Sequence, residues 1–223
     1  RRRAGERVAY LIGVREFFGI TLAVSPDVLV PRPETELLVD AAWRILPASG
    51  AARVLDLGTG SGCIAVAIAT QRPQAQVTAV DRSTAALAVA AHNAKRAGAE
   101  VEFLQSDWFD ALGGRRFDLI VANPPYIAAA DPHLEQGDLR FEPKSALSAG
   151  ADGLTDLRCI IAGAPAHLGE GGWLLVEHGY DQADACRNLL RKAGFSGLLA
   201  DVDLAGQPRL AGGQLLTLNS PNR

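Results

Sequence analysis

"RVLDLGTGSG", Arg53 to Gly62, is a short apolar run that breaks into alternating glycines just before an Ala- and Ile-rich segment. A strand, a glycine turn and the start of a helix fit that order. The glycines let the backbone bend sharply and approach a ligand, and the helix amino terminus offers free N–H groups. Short apolar runs and helical patterns then alternate, which argues for repeated βα units and a mostly parallel sheet. The helix Ser61 to Thr70 leads to the strand "AQVTAVD", the helix Thr84 to Ala97, and the strands "VEFLQSD" and "FDLIVAN". Next come a helix from Thr155 to Leu168, the strand "GWLLVEHG" and a helix from Ala183 to Ala193 closed by Gly194. Two short strands between Gly197 and Leu218, separated by "DLAGQPRL", complete the pattern. The expected fold class is α/β: a doubly wound, mostly parallel seven-stranded sheet, Rossmann-like, with a small amino-terminal hairpin segment.

Residues 1–36 read as that hairpin and linker segment, with "VAYLIG", "REFFGITLAV" and "VLVPRP" as its extended parts, and residues 37–223 as the main domain. "ETELLVDAAWRIL" reads as an amphipathic helix. Asp131 to Ala151 lacks clear periodicity, and a connection of that length is more often functional than incidental.

Composition narrows the classes. The 223 residues are 48% hydrophobic with a formal net charge of −3, enough for a full core and without a global positive field for nucleic acid or anionic membrane. No apolar run is long enough to span a bilayer. Three widely spaced cysteines (Cys63, Cys159, Cys186) fit reduced thiols in a cytoplasm, and the four histidines show no metal-ligand spacing, so no metal is expected.

Three successive strand ends carry a ligand-binding rim. Gly58, Thr59, Gly60, Ser61 and Gly62 form the glycine turn. Asp81 closes the second strand, where a carboxylate can hold ribose hydroxyls. Asp107 and Trp108 close the third, an acceptor beside an aromatic face for adenine. The dinucleotide fingerprint wants another glycine or alanine where Cys63 stands. The shorter spacing suits a ligand without pyrophosphate, such as S-adenosylmethionine.

The fourth strand stops at Asn123-Pro124-Pro125-Tyr126. Two prolines end the ladder and present carbonyl oxygens without competing N–H donors. The Asn123 oxygen and the Pro124 carbonyl can accept both hydrogens of one planar –NH2 group, and Tyr126 can stack on it. Asn123, Pro124 and Tyr126 are therefore the candidate catalytic residues, needing neither metal nor general base.

"NPPY" behind "DLGTGSG" resembles the amino-methyltransferases that act on planar nitrogens. The stretches "AYLIG", "FFGITLAVSPDVLVPRPETELLV", "SDWFDAL", "LRFEPKSALSAGADGL" and "DLAGQPRL" narrow the resemblance to the PrmC/HemK family of release factor glutamine N5-methyltransferases, over residues 4 to 218. The resemblance implies an S-adenosylmethionine-dependent enzyme, releasing S-adenosylhomocysteine, that methylates the glutamine of the Gly-Gly-Gln loop in class I peptide chain release factors. It implies cofactor contacts from Gly58 to Gly62, Asp81, Trp108 and Asn123, and substrate contacts from Asn123, Pro124, Pro125 and Tyr126. It also implies that Arg32, Pro33 and Glu34 lie near cofactor and glutamine. A cytoplasmic monomer that does not bind nucleic acid directly is expected. The alternatives are a ribosomal-protein glutamine methyltransferase and a nucleic-acid base N-methyltransferase. Ala122 stands where the family usually has serine, with little effect expected because both are small. The chain starts with Arg-Arg-Arg where the family carries a helical amino-terminal domain, so a fragment lacking that domain is expected. The Gly-Gly-Gln triplet in "AGGQLL", Ala211 to Leu216, reads as a glycine turn entering an edge strand rather than as a substrate.

Overall fold

The computed structural model describes residues 7–216, apart from 136 and 138. A short helix α1 (Val8–Ile12) leads into the hairpin β1 (Val14–Phe17) and β2 (Ile20–Ala23). Phe18 and Gly19 both have positive φ, the two-residue turn that matches strand twist. A single 3-10 turn, Pro33–Thr35, then opens α2 (Glu36–Ile45). "VAYLIG", read as extended from its apolar content, is thus helical and ends on Gly13 in the left-handed region. "VLVPRP" is not a strand either, since its two prolines keep it out of a ladder.

The main sheet contains β3 (Arg53–Leu57), β4 (Gln76–Asp81), β5 (Val101–Gln105), β6 (Phe117–Ala122), β7 (Leu168–Glu177), β8 (Phe195–Val202) and β9 (Pro208–Leu215). Its order is β5-β4-β3-β6-β7-β9-β8, parallel except where β9 pairs antiparallel with β7 and β8. The seven-stranded α/β expectation holds. "AGGQLL" was misplaced, because Ala211 to Leu215 lie in β9 between β7 and β8 and not at an edge. Its glycines allow close packing: a Cβ on Gly212 would lie 2.7 Å from the Leu174 oxygen.

Period-two alternation along the strands sorts side chains to two faces. Val54, Val77, Ala79, Leu119 and Val121 face α2, α3 (Cys63–Gln71) and α4 (Thr84–Ala97). Leu55, Leu57, Val80, Ile120 and Val176 face α5 (Thr155–His167) and α6 (Ala183–Lys192). Helix α3 is apolar on nearly every side because it is buried from Cys63 to Ala69. The hairpin joins the first of these cores through Phe17 and Leu22. Residues 131–151 are more regular than their sequence suggests, with 3-10 turns at Pro132–Glu135, Leu139–Phe141 and Lys144–Ala146.

Candidate active site

Strand order reverses between β3 and β6, and the register there sets the site. Leu57 pairs with Val80 on one side and with Ala122 on the other, while Ala122 pairs with Val176. One residue further, Gly58, Asp81, Asn123 and Glu177 therefore emerge side by side at the carboxyl edge, where open α/β sheets bind ligands.

A cavity of about 320 Å³ opens at this edge. Gly58, Thr59, Gly60, Ser61, Asp81, Asp107, Trp108, Asn123 and Pro125 all line it. The glycine turn is held towards β4, with Thr59 N–H donating to the Val80 oxygen and Gly60 N–H to Asp81 Oδ2, both at 2.9 Å. Asp81 Oδ1 accepts from Ser83 N–H at 2.9 Å, which sets the entry to α4. Gly58, Gly60 and Gly62 have φ of 69°, 55° and 81°, a conformation that glycine adopts without steric cost.

Beneath the turn, Asp56 is 1% exposed. Its Oδ2 accepts from the Thr59 hydroxyl at 2.6 Å and from Ala65 N–H at 3.2 Å, while Oδ1 has no partner among the described residues. Burial pushes the Asp56 carboxyl up to about 7, opposed by those two donors. Trp108, past the end of β5, has φ of 44°, an outlier for a bulky residue that points to a functional constraint. Asp156, another wall residue, has its carboxyl held above the usual range mainly by burial, with Arg82 and the neighbouring Trp108 opposing.

Other expected residues adjoin the cavity without being among its lining. Gly62 faces Ala90, not the cavity, and a Cβ there would lie 2.9 Å from the Ala90 Cβ. Arg32, Pro33 and Glu34 line a neighbouring hollow with Arg7, Arg15 and Val30. Pro124 is buried, and Tyr126 turns its hydroxyl to Glu177 Oε1 at 3.2 Å.

A scan of known families matches residues 34–138 to the methyltransferase small domain. A release factor glutamine methyltransferase from Bordetella pertussis is 57% identical over 216 residues, covering 96% of this chain and 80% of the relative. One from Pseudomonas aeruginosa is 56% identical over 215 residues, covering 96% and 78%. The chain belongs to the release factor glutamine methyltransferase family. Among solved structures, a methyltransferase from Pyrococcus furiosus matches with a TM-score of 0.69 at 17% identity, covering 97% of this chain and 98% of that one. A T. thermophilus 16S rRNA N2 G1207 methyltransferase in complex with AdoMet and guanosine matches with 0.66 at 21%, covering 90% and 49%. These identities speak for a shared fold alone.

For this member of the release factor glutamine methyltransferase family, three residues that sequence reasoning missed or set aside are central to the geometry. Thr35 is 1% exposed, lines the cavity, and joins Asn123 to Glu177. Glu177 is 2% exposed, and burial pushes its carboxyl up to about 7 against the Thr35 and Tyr126 hydroxyls and Arg209. Glu142, from the long connection, accepts from Val30 N–H at 3.2 Å and pairs with Arg32 at 2.5 Å and with Arg7. It is a buried anchor between two loops. Glu177 is legible in the sequence as the end of the strand "GWLLVEHG" and Glu142 as a carboxylate in the long connection, whereas nothing local marks Thr35.

Proposed function

We propose that this chain transfers a methyl group from S-adenosylmethionine to the side-chain amide nitrogen, N5, of the Gly-Gly-Gln glutamine in class I peptide chain release factors. The observation that carries this reading is the meeting of Asn123 with the Gly58–Ser61 turn, Asp81 and Trp108 around one cavity, in a chain 57% identical to a release factor glutamine methyltransferase.

The residues fit the cofactor. The cavity volume lies within the range of about 300–1,000 Å³ usual for small-molecule sites. Asp81 spends one lone pair of each oxygen on backbone, keeping capacity for ribose hydroxyls. Trp108 and Asp107 would take the adenine, and Gly58 to Ser61 the remaining backbone contacts. When bound, the cofactor supplies an electrophilic methyl on a sulfonium.

The protein's part is to orient the amide. Asn123 Oδ1 and the Pro124 carbonyl would accept its two hydrogens, and Tyr126 would pack on its plane. Such positioning contributes several of the about 7–11 kcal/mol available from orientation. Because the nitrogen grows more positive as it reacts, its N–H groups donate more strongly in the transition state, and the acceptors favour that state. The proton then leaves to solvent. Arg32, Pro33 and Glu34 line the adjoining hollow, where the peptide around the glutamine would enter. A release factor substrate implies a cytoplasmic enzyme, and the formal net charge of −3 suits one that does without direct nucleic-acid binding.

The test is to incubate the protein with S-adenosylmethionine and a purified class I release factor and to read the Gly-Gly-Gln peptide by mass spectrometry. One added methyl on that glutamine, lost in Asn123→Ala while cofactor binding persists, is expected. Methylation of a ribosomal protein or a nucleic-acid base instead would overturn the reading.

A further inference from the structure

We infer that Thr35 and Glu177 are positioning residues that set the polarity of the Asn123 carboxamide, so that its oxygen and not its –NH2 faces the substrate amide. This rests on the proposed reaction and adds to it the reason Asn123 is an acceptor there.

The argument is one of hydrogen counting. An ionised carboxylate only accepts, and a threonine hydroxyl owns a single hydrogen. Thr35 Oγ1 donates that hydrogen to Glu177 Oε2 at 2.7 Å. Its oxygen can then only accept from Asn123, and the group at 3.0 Å is Nδ2. Tyr126 donates to the other carboxylate oxygen at 3.2 Å, so neither Glu177 oxygen is free to reorient the relay. With Nδ2 committed, Oδ1 is left for the cavity. Burial of Thr35 and Glu177 keeps water from competing for either group.

Protonation of Glu177 removes the constraint. Its own O–H becomes a donor, the Thr35 hydrogen is released, and both amide orientations become comparable. The groups facing Glu177 are Tyr126 after β6, Arg209 on β9, Glu34 before α2 and Cys63 at the start of α3. Burial dominates them and pushes Glu177 up to about 7, so the relay loosens on acidification within an accessible range.

The test combines kinetics with a readout that needs no substrate. Methyl transfer to a purified release factor is measured between pH 5.5 and 9. Wild-type kcat is expected to rise with pH through about 7. Glu177→Gln and Thr35→Val should lose about 10²-fold in kcat, in the range for one lost transition-state contact, and lose the pH step. Thr35→Ser should stay within about threefold of wild type, and cofactor affinity should change little in all three. In parallel, the Asn123 side-chain amide of ¹⁵N-labelled protein, assigned by its disappearance in Asn123→Ala, is followed through the same titration. It should shift with the Glu177 transition in wild type and stay still in Glu177→Gln. Full kcat in Thr35→Val, or an Asn123 amide in wild type that ignores pH, overturns the relay. If the release factor is not methylated at all, the proposed substrate fails, while the amide titration still decides the polarity.

Discussion

Asn93, buried on α4, bridges Ala23 at the end of the hairpin: Ala23 N–H donates to Asn93 Oδ1 at 2.7 Å, and Asn93 Nδ2 donates back to the Ala23 oxygen at 3.0 Å. The same Nδ2 donates to the Ser61 oxygen at 2.8 Å. One side chain thus ties the amino-terminal hairpin to the glycine turn. Asn93→Ala should cost about 2–4 kcal/mol, because it leaves several buried backbone groups without partners. It should also weaken S-adenosylmethionine binding by slackening the turn. Urea unfolding and a calorimetric titration check both; unchanged stability would show that water replaces the amide.

The glycines of the turn should separate into two kinds. At Gly60 a Cβ meets only the Gly58 oxygen, at 4.0 Å, so Gly60→Ala carries chiefly the left-handed backbone penalty of about 1–2 kcal/mol. Gly60 lines the cavity, so cofactor affinity should fall while the fold survives. At Gly62 a Cβ would lie 3.1 Å from the Ala90 Cα, on backbone that cannot move aside. Gly62→Ala should therefore destabilise more than Gly60→Ala, a ranking that thermal melts with and without cofactor would reverse if the roles are wrongly assigned.

Glu142→Gln removes the charge that Arg32 and Arg7 share and that Val30 N–H approaches. Breaking a fully buried pair costs about 3–5 kcal/mol; both arginines are about one-fifth exposed, so about 1–3 kcal/mol is expected. Cleavage by a protease between 139 and 150 should quicken, since that segment loses its link to 30–32. Unaltered cleavage and stability would place the anchor elsewhere.

Asp56 and Glu177 both have folded-state pKa values raised to about 7, mainly by burial. Folding then favours the protonated form. The associated stability is present below the ordinary carboxylate range and is lost as pH rises through about 7. Asp56→Asn, which keeps an acceptor for Thr59 and Ala65, should gain stability relative to wild type between pH 5 and pH 8. A difference in melting temperature that is constant with pH would mean that Asp56 does not titrate there.

Much of the architecture was legible from local pattern. β3, β4, β5 and β6 and the helix Thr84 to Ala97 lie where short apolar runs and helical spacing put them, because parallel strands such as β3, β4 and β6 are buried on both faces and so read as near-continuous apolar runs. "VAYLIG" was misread, as a six-residue apolar run satisfies either a strand or one helical turn. "AGGQLL" was misplaced because glycine content suggests an edge, whereas here it admits Leu174 and Phe195 into close contact inside the sheet.

The order of residues along the chain was enough for the α/β class, the glycine turn and the Asn123-Pro124-Pro125-Tyr126 corner, since each depends on neighbours within a few positions. It could not show that Thr35 bonds Asn123, 88 residues away, or Glu177, 142 residues away. Those contacts follow from the parallel registers Leu57–Ala122 and Ala122–Val176 and from the packing of α2 on the sheet. Hydrogen bonds of this kind are short-ranged and directional, so only the assembled sheet edge brings their donors and acceptors within reach.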